Sequence, residues 1–392
     1  EETHNVDLEL SESHLAFQEE VENFLVSNWR SDLAKDPEAI SVFRRTATGA
    51  GYLYRNVPEI YGGSGQSPDV LKAKIIRESF AGVRAPREMP GVGMMMLVPT
   101  LLDCGSELQK QSFIPRTLTG EYRWAQGYSE PGAGSDLASL RTKGELVDGH
   151  WLINGQKIWT TMAHKCTHMF ALVRTEPDAG KHAGISYLLF ELDQPGVTIR
   201  PLKQMNGDKE FCEVFFEDAR APADWIVGER GEGWRVSKST LKHERNSVGA
   251  ASGSKDLFDK LVKQARKTTL NERPAIEDPL VRDRLAKIQG HVMAHLCAGY
   301  YQLSCDAGGA DAGIVGLMNK MNTTVIGHEI AAAASEVIGD SNLQMPDYKV
   351  GRPGAEKWVN QQMLSLAAAL GGGTSNINLN IIAERGLGLP RD

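Results

Sequence analysis

The chain has 392 residues, 41% of them hydrophobic and 24% charged, with a formal net charge of −7. Those proportions exclude wholesale disorder, and the negative balance excludes nucleic-acid binding driven by net charge, although a local basic pocket for a phosphorylated ligand stays compatible with it. A chain of this length outgrows one compact core, so two or three structural units are expected.

The five cysteines, Cys104, Cys166, Cys212, Cys297 and Cys305, contain no CxxC pair. An odd, sparse set points to a reducing compartment, to five small buried residues and to no metal centre. Residues 1–9 are acidic and polar, unlike a signal peptide. The longest uncharged stretch, 90–102 (PGVGMMMLVPTLL), is too short and too rich in proline to span a bilayer. No membrane association is expected.

Residues 11–125 read as helices. Phe17, Val21, Phe24 and Leu25 share one face at helical spacing, as do Leu71, Ile75, Ile76 and Phe80, and the glycine-rich 58–65 between them reads as a loop. From 126 the period changes to that of strands. Segment 145–159 holds Asp148-Gly149 and Asn154-Gly155, each read as a tight-turn dipeptide. Short strands follow at 169–175, 184–192, 196–202 and 211–217, which suggests a small barrel or sandwich. Helices return at 233: Leu257, Phe258, Leu261, Val262 and Ala265 form a stripe, and 285–305 and 319–337 suit a bundle. The small residues at 331–334 and 367–369 mark close helix packing. The expected fold is therefore mainly α with a central β domain, divided as an N-terminal helical domain (1–125), a middle β barrel or sandwich (126–232) and a C-terminal four-helix bundle (233–392).

The segment with most chemistry is 126–137, QGYSEPGAGSDL. Pro131 and its glycines force an irregular backbone, Ser129 and Ser135 offer hydroxyls, and Gly132 and Gly134 let backbone amides approach a polar heterocycle or a phosphate. An ordinary glycine-rich turn is the alternative. This segment, with NGQKIWTTMA at 154–163, resembles the paired signature of the acyl-CoA dehydrogenase family. Matches also run through PEIYGGSG (58–65), GSELQK (105–110), FCEVFF (211–216), VGERGEGW (227–234) and IIAERGLGLPR (381–391), in family order over most of the chain. The resemblance implies the same three-part fold, a bound FAD, an acyl-CoA substrate and an electron-transfer flavoprotein or similar acceptor. It also implies a homotetramer or heterotetramer, in the cytoplasm of a bacterium or, after loss of a transit peptide, in the mitochondrial matrix.

By that resemblance Gln126 and Ser129 lie at the flavin, with Ser129 on its pyrimidine edge. Trp159 packs on the ring system, its alternative being plain core packing, and Thr161 bonds near N5. Ser135 sits by the pantetheine or phosphates of CoA. In the C-terminal segment Gly371-Gly372-Gly373-Thr374-Ser375-Asn376, Thr374 and Asn376 are contacts to the adenosine half of FAD. Arg266 pairs with the pyrophosphate across a subunit interface, or is simply a solvated helix residue.

The reaction needs a carboxylate near the substrate Cα. Many family members carry it just before the GT of the C-terminal segment, but that position here is Gly372, which keeps only a backbone N–H to polarise the thioester carbonyl. LKHERN (241–246) resembles the LxxER pattern of members that place the base on a helix, which makes Glu244 the candidate base. A salt-bridged helix residue is the alternative for Glu244, and His243 is a candidate orienting group. The motifs are most similar to members acting on bulky, steroid-side-chain-like or branched acyl groups. Met94, Met95 and Met96 are either an adaptable pocket wall or core. Val337-Ile338-Gly339-Asp340 and Asn376-Ile377-Asn378-Leu379 depart from the family at its intersubunit FAD contacts. A second reading follows from them: a silent or half-competent partner subunit of a heteromeric enzyme.

Overall fold

The computed structural model describes residues 11–248, 251–307, 310, 312–340 and 355–390, with backbone only at 70, 244–248, 306, 307, 355 and 356. Capping chemistry starts the N-terminal helices. Ser11 accepts the His14 N–H at the start of α1 (Glu12–Asn28), and Asp36 accepts two N–H groups ahead of Pro37 in α2 (Pro37–Gly49). Asp69 caps α3 (Val70–Gly82). A π-helical turn (Gly93–Leu97) feeds α4 (Val98–Cys104), and a Ser106/Gln109 capping box opens α5 (Glu107–Thr119). The expected apolar faces are the buried ones: Val21, Leu25, Ile75, Ile76 and Phe80.

Seven strands follow: β1 (Trp124–Gly127), β2 (Lys143–Val147), β3 (His150–Thr161), β4 (His168–Arg174), β5 (Ile185–Glu191), β6 (Val197–Pro201) and β7 (Phe211–Pro222). They form one sheet in the order β1-β4-β2-β3-β7-β6, with β5 paired to β4. β4 and β5 read as almost continuous apolar runs because both their faces are covered. Phe170, Leu172, Tyr187 and Leu189 join the core of the N-terminal helices, whereas Met169, Ala171, Val173, Leu188 and Phe190 face a second core within the sheet.

One turn expectation holds and the other does not. Asp148 and Gly149, at φ 48° and 76°, connect β2 to β3. Asn154-Gly155 instead lies inside β3, where the register against β7 shifts. The Asn154 side chain exchanges two hydrogen bonds with Asp218 on the facing strand, and Gly155 stands where a Cβ would meet Thr142 Cα at 2.7 Å. The dipeptide faces a bulge in β7: the step from Ile153 to Gly155 is opposed by the longer step from Ala219 to Phe216, and Asp218 there takes φ 54°.

The third part holds α6 (Gly233–Val248), α7 (Ala251–Lys267), a two-residue-per-strand hairpin (β8, Thr269–Leu270; β9, Arg273–Pro274), α8 (Pro279–Ala307), α9 (Val315–Ile338), α10 (Ala355–Ala368) and α11 (Ser375–Ile381). Phe258, Leu261, Ile288, Ile330 and Trp358 share its core with the small residues Ala333 and Ala334, and Ala331 is buried as well. The cysteines depart from expectation. All are free, but only Cys212 is buried, Cys104, Cys166 and Cys305 are half-buried, and Cys297 is exposed on α8. Among the described residues no cluster could hold a metal ion, and no helix is long and apolar enough to cross a membrane.

His168 closes an aromatic box between the first two parts. Its ring lies 3.9 Å from that of Tyr122, 5.0 Å from Trp124 and 6.0 Å from Trp225. Nδ1 meets Thr167 Oγ at 2.8 Å, and Nε2 is buried without a partner among the described residues. Burial, helped by the nearby Arg116 charge, lowers the imidazole from 6.5 to about 4. The native state therefore binds fewer protons than the unfolded chain between those values, and stability falls as pH drops through that window. His168→Phe should remove this loss. Taking the pH from 7 to 5 should cost the wild type about 1–2 kcal/mol more than the variant, read from urea midpoints.

Candidate functional site

β1 ends at Gly127, where a Cβ would meet Met169 Sδ at 2.5 Å, and the chain enters the glycine-rich loop. Glu130 and Ala133 close the loop on themselves with two backbone hydrogen bonds. The Glu130 carboxylate then accepts from the Arg141 N–H at 2.6 Å, the Thr142 N–H at 2.9 Å and Lys157 Nζ at 2.8 Å. Lys157, from β3, also donates to the Tyr128 carbonyl at 3.1 Å and is 0% exposed. Burial raises the Glu130 carboxyl, but the ammonium and the loop N–H groups outweigh it and hold it below its usual value. Burial brings Lys157 down to about 8, with Glu130 acting against the fall. The pair fastens both ends of the loop to the middle of β3.

On β3 the Ile158 N–H donates to the Ser129 carbonyl at 2.9 Å, so Ser129 and Trp159 are held side by side. The ladder to β7 shifts between Lys157 and Thr160, and Trp159 takes φ 62°. The bulge turns the Trp159 indole outward: it is 58% exposed and meets the edge of Phe211, at 6.1 Å and 88°. Thr160 is buried and donates to the Cys212 carbonyl at 2.8 Å, while Thr161 is exposed. A non-glycine residue in the left-handed region that also presents a bare indole is a strained arrangement, of the kind kept where a ligand lies. A ring stacked on Trp159, with donors from Ser129 and Thr161 at its rim, fits this surface. On the flank of the loop a cleft of about 550 Å³ opens between Pro131, Gly132, Ser139, Arg141, Gln156 and Phe215.

The remaining expected residues lie elsewhere. Gln126 is half-buried in β1 opposite Phe170, and Ser135 is exposed at the loop tip beside Asp136, which pairs with Lys181 at 2.7 Å. Gly372 is half-buried at φ 67°, Thr374 caps α11 by accepting the Ile377 N–H, and Asn376 is exposed. Arg266 is exposed in the last turn of α7. Among the described residues, no hydrogen bond joins Arg266, Gly372, Thr374 or Asn376 to the loop and β3. Position 244 lies on α6, which packs against β5, α4 and the π-helical turn; the Glu244 side chain itself is outside the described residues. Sequence reasoning missed Glu130 and Lys157. The available signal was parity: Trp151 and Ile153 point inward on β3, and Lys157 takes an inward position where an apolar residue is the rule.

Models of the acyl-CoA dehydrogenase N-terminal, middle and C-terminal domains match residues 11–121, 125–219 and 231–387. The acyl-CoA dehydrogenase IpdE1 of Mycobacterium tuberculosis is 39% identical over 345 residues, covering 88% of this chain and 86% of the relative. Among solved structures, the ChsE4–ChsE5 complex of M. tuberculosis aligns with a TM-score of 0.79 at 25% identity over 99% of this chain and 100% of that one. A structure described as the Tcur3481–Tcur3483 steroid ACAD also aligns at 0.79, with 24% identity over 99% and 100% of the two chains, a likeness of fold.

Lys157→Met leaves a buried carboxylate without its cation and should cost about 3–5 kcal/mol in urea unfolding. Adding Glu130→Gln should recover a large part of that loss, since both buried charges are then gone.

Proposed function

The chain belongs to the acyl-CoA dehydrogenase family, and on that premise we propose that it is an FAD-dependent enzyme converting an acyl-CoA thioester to the trans-2-enoyl-CoA. Glycine at 372, where many members carry the base, together with a glutamate at 244 on the helix packed beside β5 and the π-helical turn, is the observation that carries this reading. A bound flavin supplies the acceptor for the β-hydride at its N5. Trp159 offers the stacking surface, and Ser129 and Thr161 offer hydroxyls that orient the ring; Gln126 lies at the entry to the same loop. The Gly372 N–H polarises the thioester carbonyl, which acidifies the α-proton, and Glu244 takes that proton. Ser135, next to the exposed loop amides, holds the pantetheine or phosphate end of CoA. Thr374 and Asn376 contact the adenosine half of FAD, and Arg266 pairs with the pyrophosphate across a subunit interface in a tetramer.

For the acyl group we favour a bulky steroid side chain or a branched chain. Gly371, Gly372 and Gly373 carry no side chains to restrict the acyl group, Met95 of the π-helical turn that packs on α6 is 45% exposed, and one structural neighbour is described as a steroid ACAD. An electron-transfer flavoprotein is the proposed acceptor, and the bacterial relatives favour the cytoplasm over the mitochondrial matrix. A second reading, a partner subunit with an incomplete site, is favoured by the departures at 337–340 and 376–379 and by neighbours described as two-protein assemblies.

Flavin per chain separates the two readings. The protein purified alone and reconstituted with FAD should hold near one flavin per chain; none would establish the partner-subunit reading, and one half would indicate a shared site. Glu244→Gln should keep its flavin while turnover of a steroid-side-chain CoA ester or isovaleryl-CoA, with ferrocenium as acceptor, falls about 10²- to 10⁴-fold. Near-normal turnover would remove Glu244 as the base.

A further inference from the structure

A line of hydroxyl groups crosses the core where the three parts of the chain meet, and no step proposed above uses it. Thr100 on α4 donates to the Met96 carbonyl of the π-helical turn at 2.7 Å and pairs with Thr240 on α6 at 2.9 Å. Thr240 in turn lies 3.4 Å from the Tyr187 hydroxyl of β5. The Tyr187 ring meets that of Tyr128, the residue before Ser129, edge to face at 6.2 Å, and burial keeps the Tyr187 phenol protonated by raising it above its ordinary value. Thr100, Thr240 and Tyr187 are 0% exposed and Tyr128 is 5% exposed, among Leu97, Leu101, Phe170, Leu189 and Val236.

A second tie lies beside the first. Asp103, three residues on from Thr100 along α4, accepts from Ser239 Oγ at 2.6 Å and stands 3.3 Å from His243 Nε2. Side chains at 239, 240 and 243 thus fasten α6 to α4 in the stretch that leads into position 244, and Arg235 nearer the start of α6 reaches Cys104 Sγ at 3.9 Å. Apolar contact alone resists rotation of a helix weakly, because it is non-directional. Hydrogen bonds have narrow distance and angle limits, and a network of them in an apolar core fixes one register where contact would allow several.

We propose that Thr100, Asp103 and Thr240 are positioning residues: they set the rotation of α6 against α4 and so place the carboxylate of residue 244, while Tyr187 and Tyr128 tie that helix to the loop bearing Ser129. The inference rests on the reading of Glu244 as the base. A proton-abstracting group misplaced by about 1 Å loses on the order of a hundredfold in rate while substrate binding is retained. The chain of hydroxyls therefore acts on kcat and not on KM.

The test compares Thr240→Val, Thr240→Ser and the double variant Thr100→Val/Thr240→Val with the wild type and Glu244→Gln. Each is the flavin-loaded protein, assayed with ferrocenium and with isovaleryl-CoA and a steroid-side-chain CoA ester as probes. Thr240→Val should lower kcat about 10- to 100-fold, with KM and flavin content within about twofold of wild type. Thr240→Ser, which keeps the hydroxyl, should stay within about threefold. The double variant, which removes both hydroxyls of the α4–α6 pair, should be as slow as Thr240→Val. A normal kcat in Thr240→Val, or its recovery in the double variant, overturns the inference while a slow Glu244→Gln leaves the base in place. Normal turnover in Glu244→Gln, or a wild type inert towards both esters, overturns the base reading and this inference together.

Discussion

The buried pair of Glu130 and Lys157 is the constraint around which the middle of the molecule is organised. A carboxylate taken from water into a core costs several kcal/mol unless its lone pairs are satisfied. Glu130 meets that demand with Lys157 and with the N–H groups of residues 141 and 142, which lie beyond the far end of the loop it begins. Lys157 spends a further hydrogen on the Tyr128 carbonyl at the near end. The price of burying two charges is thereby converted into geometry: a glycine-rich segment that would otherwise sample many conformations is held at both ends against β3. Ser129 and Trp159 then become neighbours as a consequence of the clamp, joined by the Ile158 N–H.

The same economy of position governs the sheet. Because successive side chains alternate, β4 and β5 serve two cores at once, one with the N-terminal helices and one within the sheet. A slip of one residue would exchange Phe170 and Leu172 for Met169 and Ala171 and spoil both cores together. That double dependence pins the register of β4. With it are pinned β1, paired to β4 from Trp124 to Gly127, and hence the point at which the loop departs. The helices reach the site through this sheet: α6 begins at Gly233, where a Cβ would meet the Ser186 backbone of β5 at 2.3 Å, so the start of the helix is seated on a strand by the absence of a side chain.

Much of this was legible because its signals are local. The Asp148-Gly149 turn and the apolar stripe of α7 are each written within a few residues, and the helix–strand–helix order follows from a change of period. Asn154-Gly155 misled because the same dipeptide suits a hairpin and a strand facing a bulge, and the choice is made by Asp218 on another strand. Lys157 was hidden for the same reason, its partner being 27 residues away. Thr100 and Thr240 are 140 residues apart, and nothing near either announces the other. Cys297 shows the converse: a residue type that is usually buried stands in solvent, since a side chain's preference is overridden by the face of the helix it occupies. Ser129 is bonded to β3 beside Trp159 through the Ile158 N–H, whereas among the described residues no hydrogen bond links Arg266, Thr374 or Asn376 to that loop, and no spacing in the sequence encodes either fact.

On the proposed assignment, moving the base from the glycine segment to α6 changes which part of the molecule must be rigid. A base carried on a loop is placed by that loop's own backbone, and side chains around it restrict the substrate. With Gly371, Gly372 and Gly373 in that place, the loop supplies space and an N–H, and the precision has to come from a helix. A helix buried by apolar contact alone is held well against translation away from its neighbours but poorly against rotation about its own axis. Polar contacts to α4 at 239, 240 and 243 supply the missing restraint within about a turn and a half of position 244, at the junction of all three parts of the chain. A wide acyl site and a polar seam in an apolar core are, on this reading, two consequences of a single relocation.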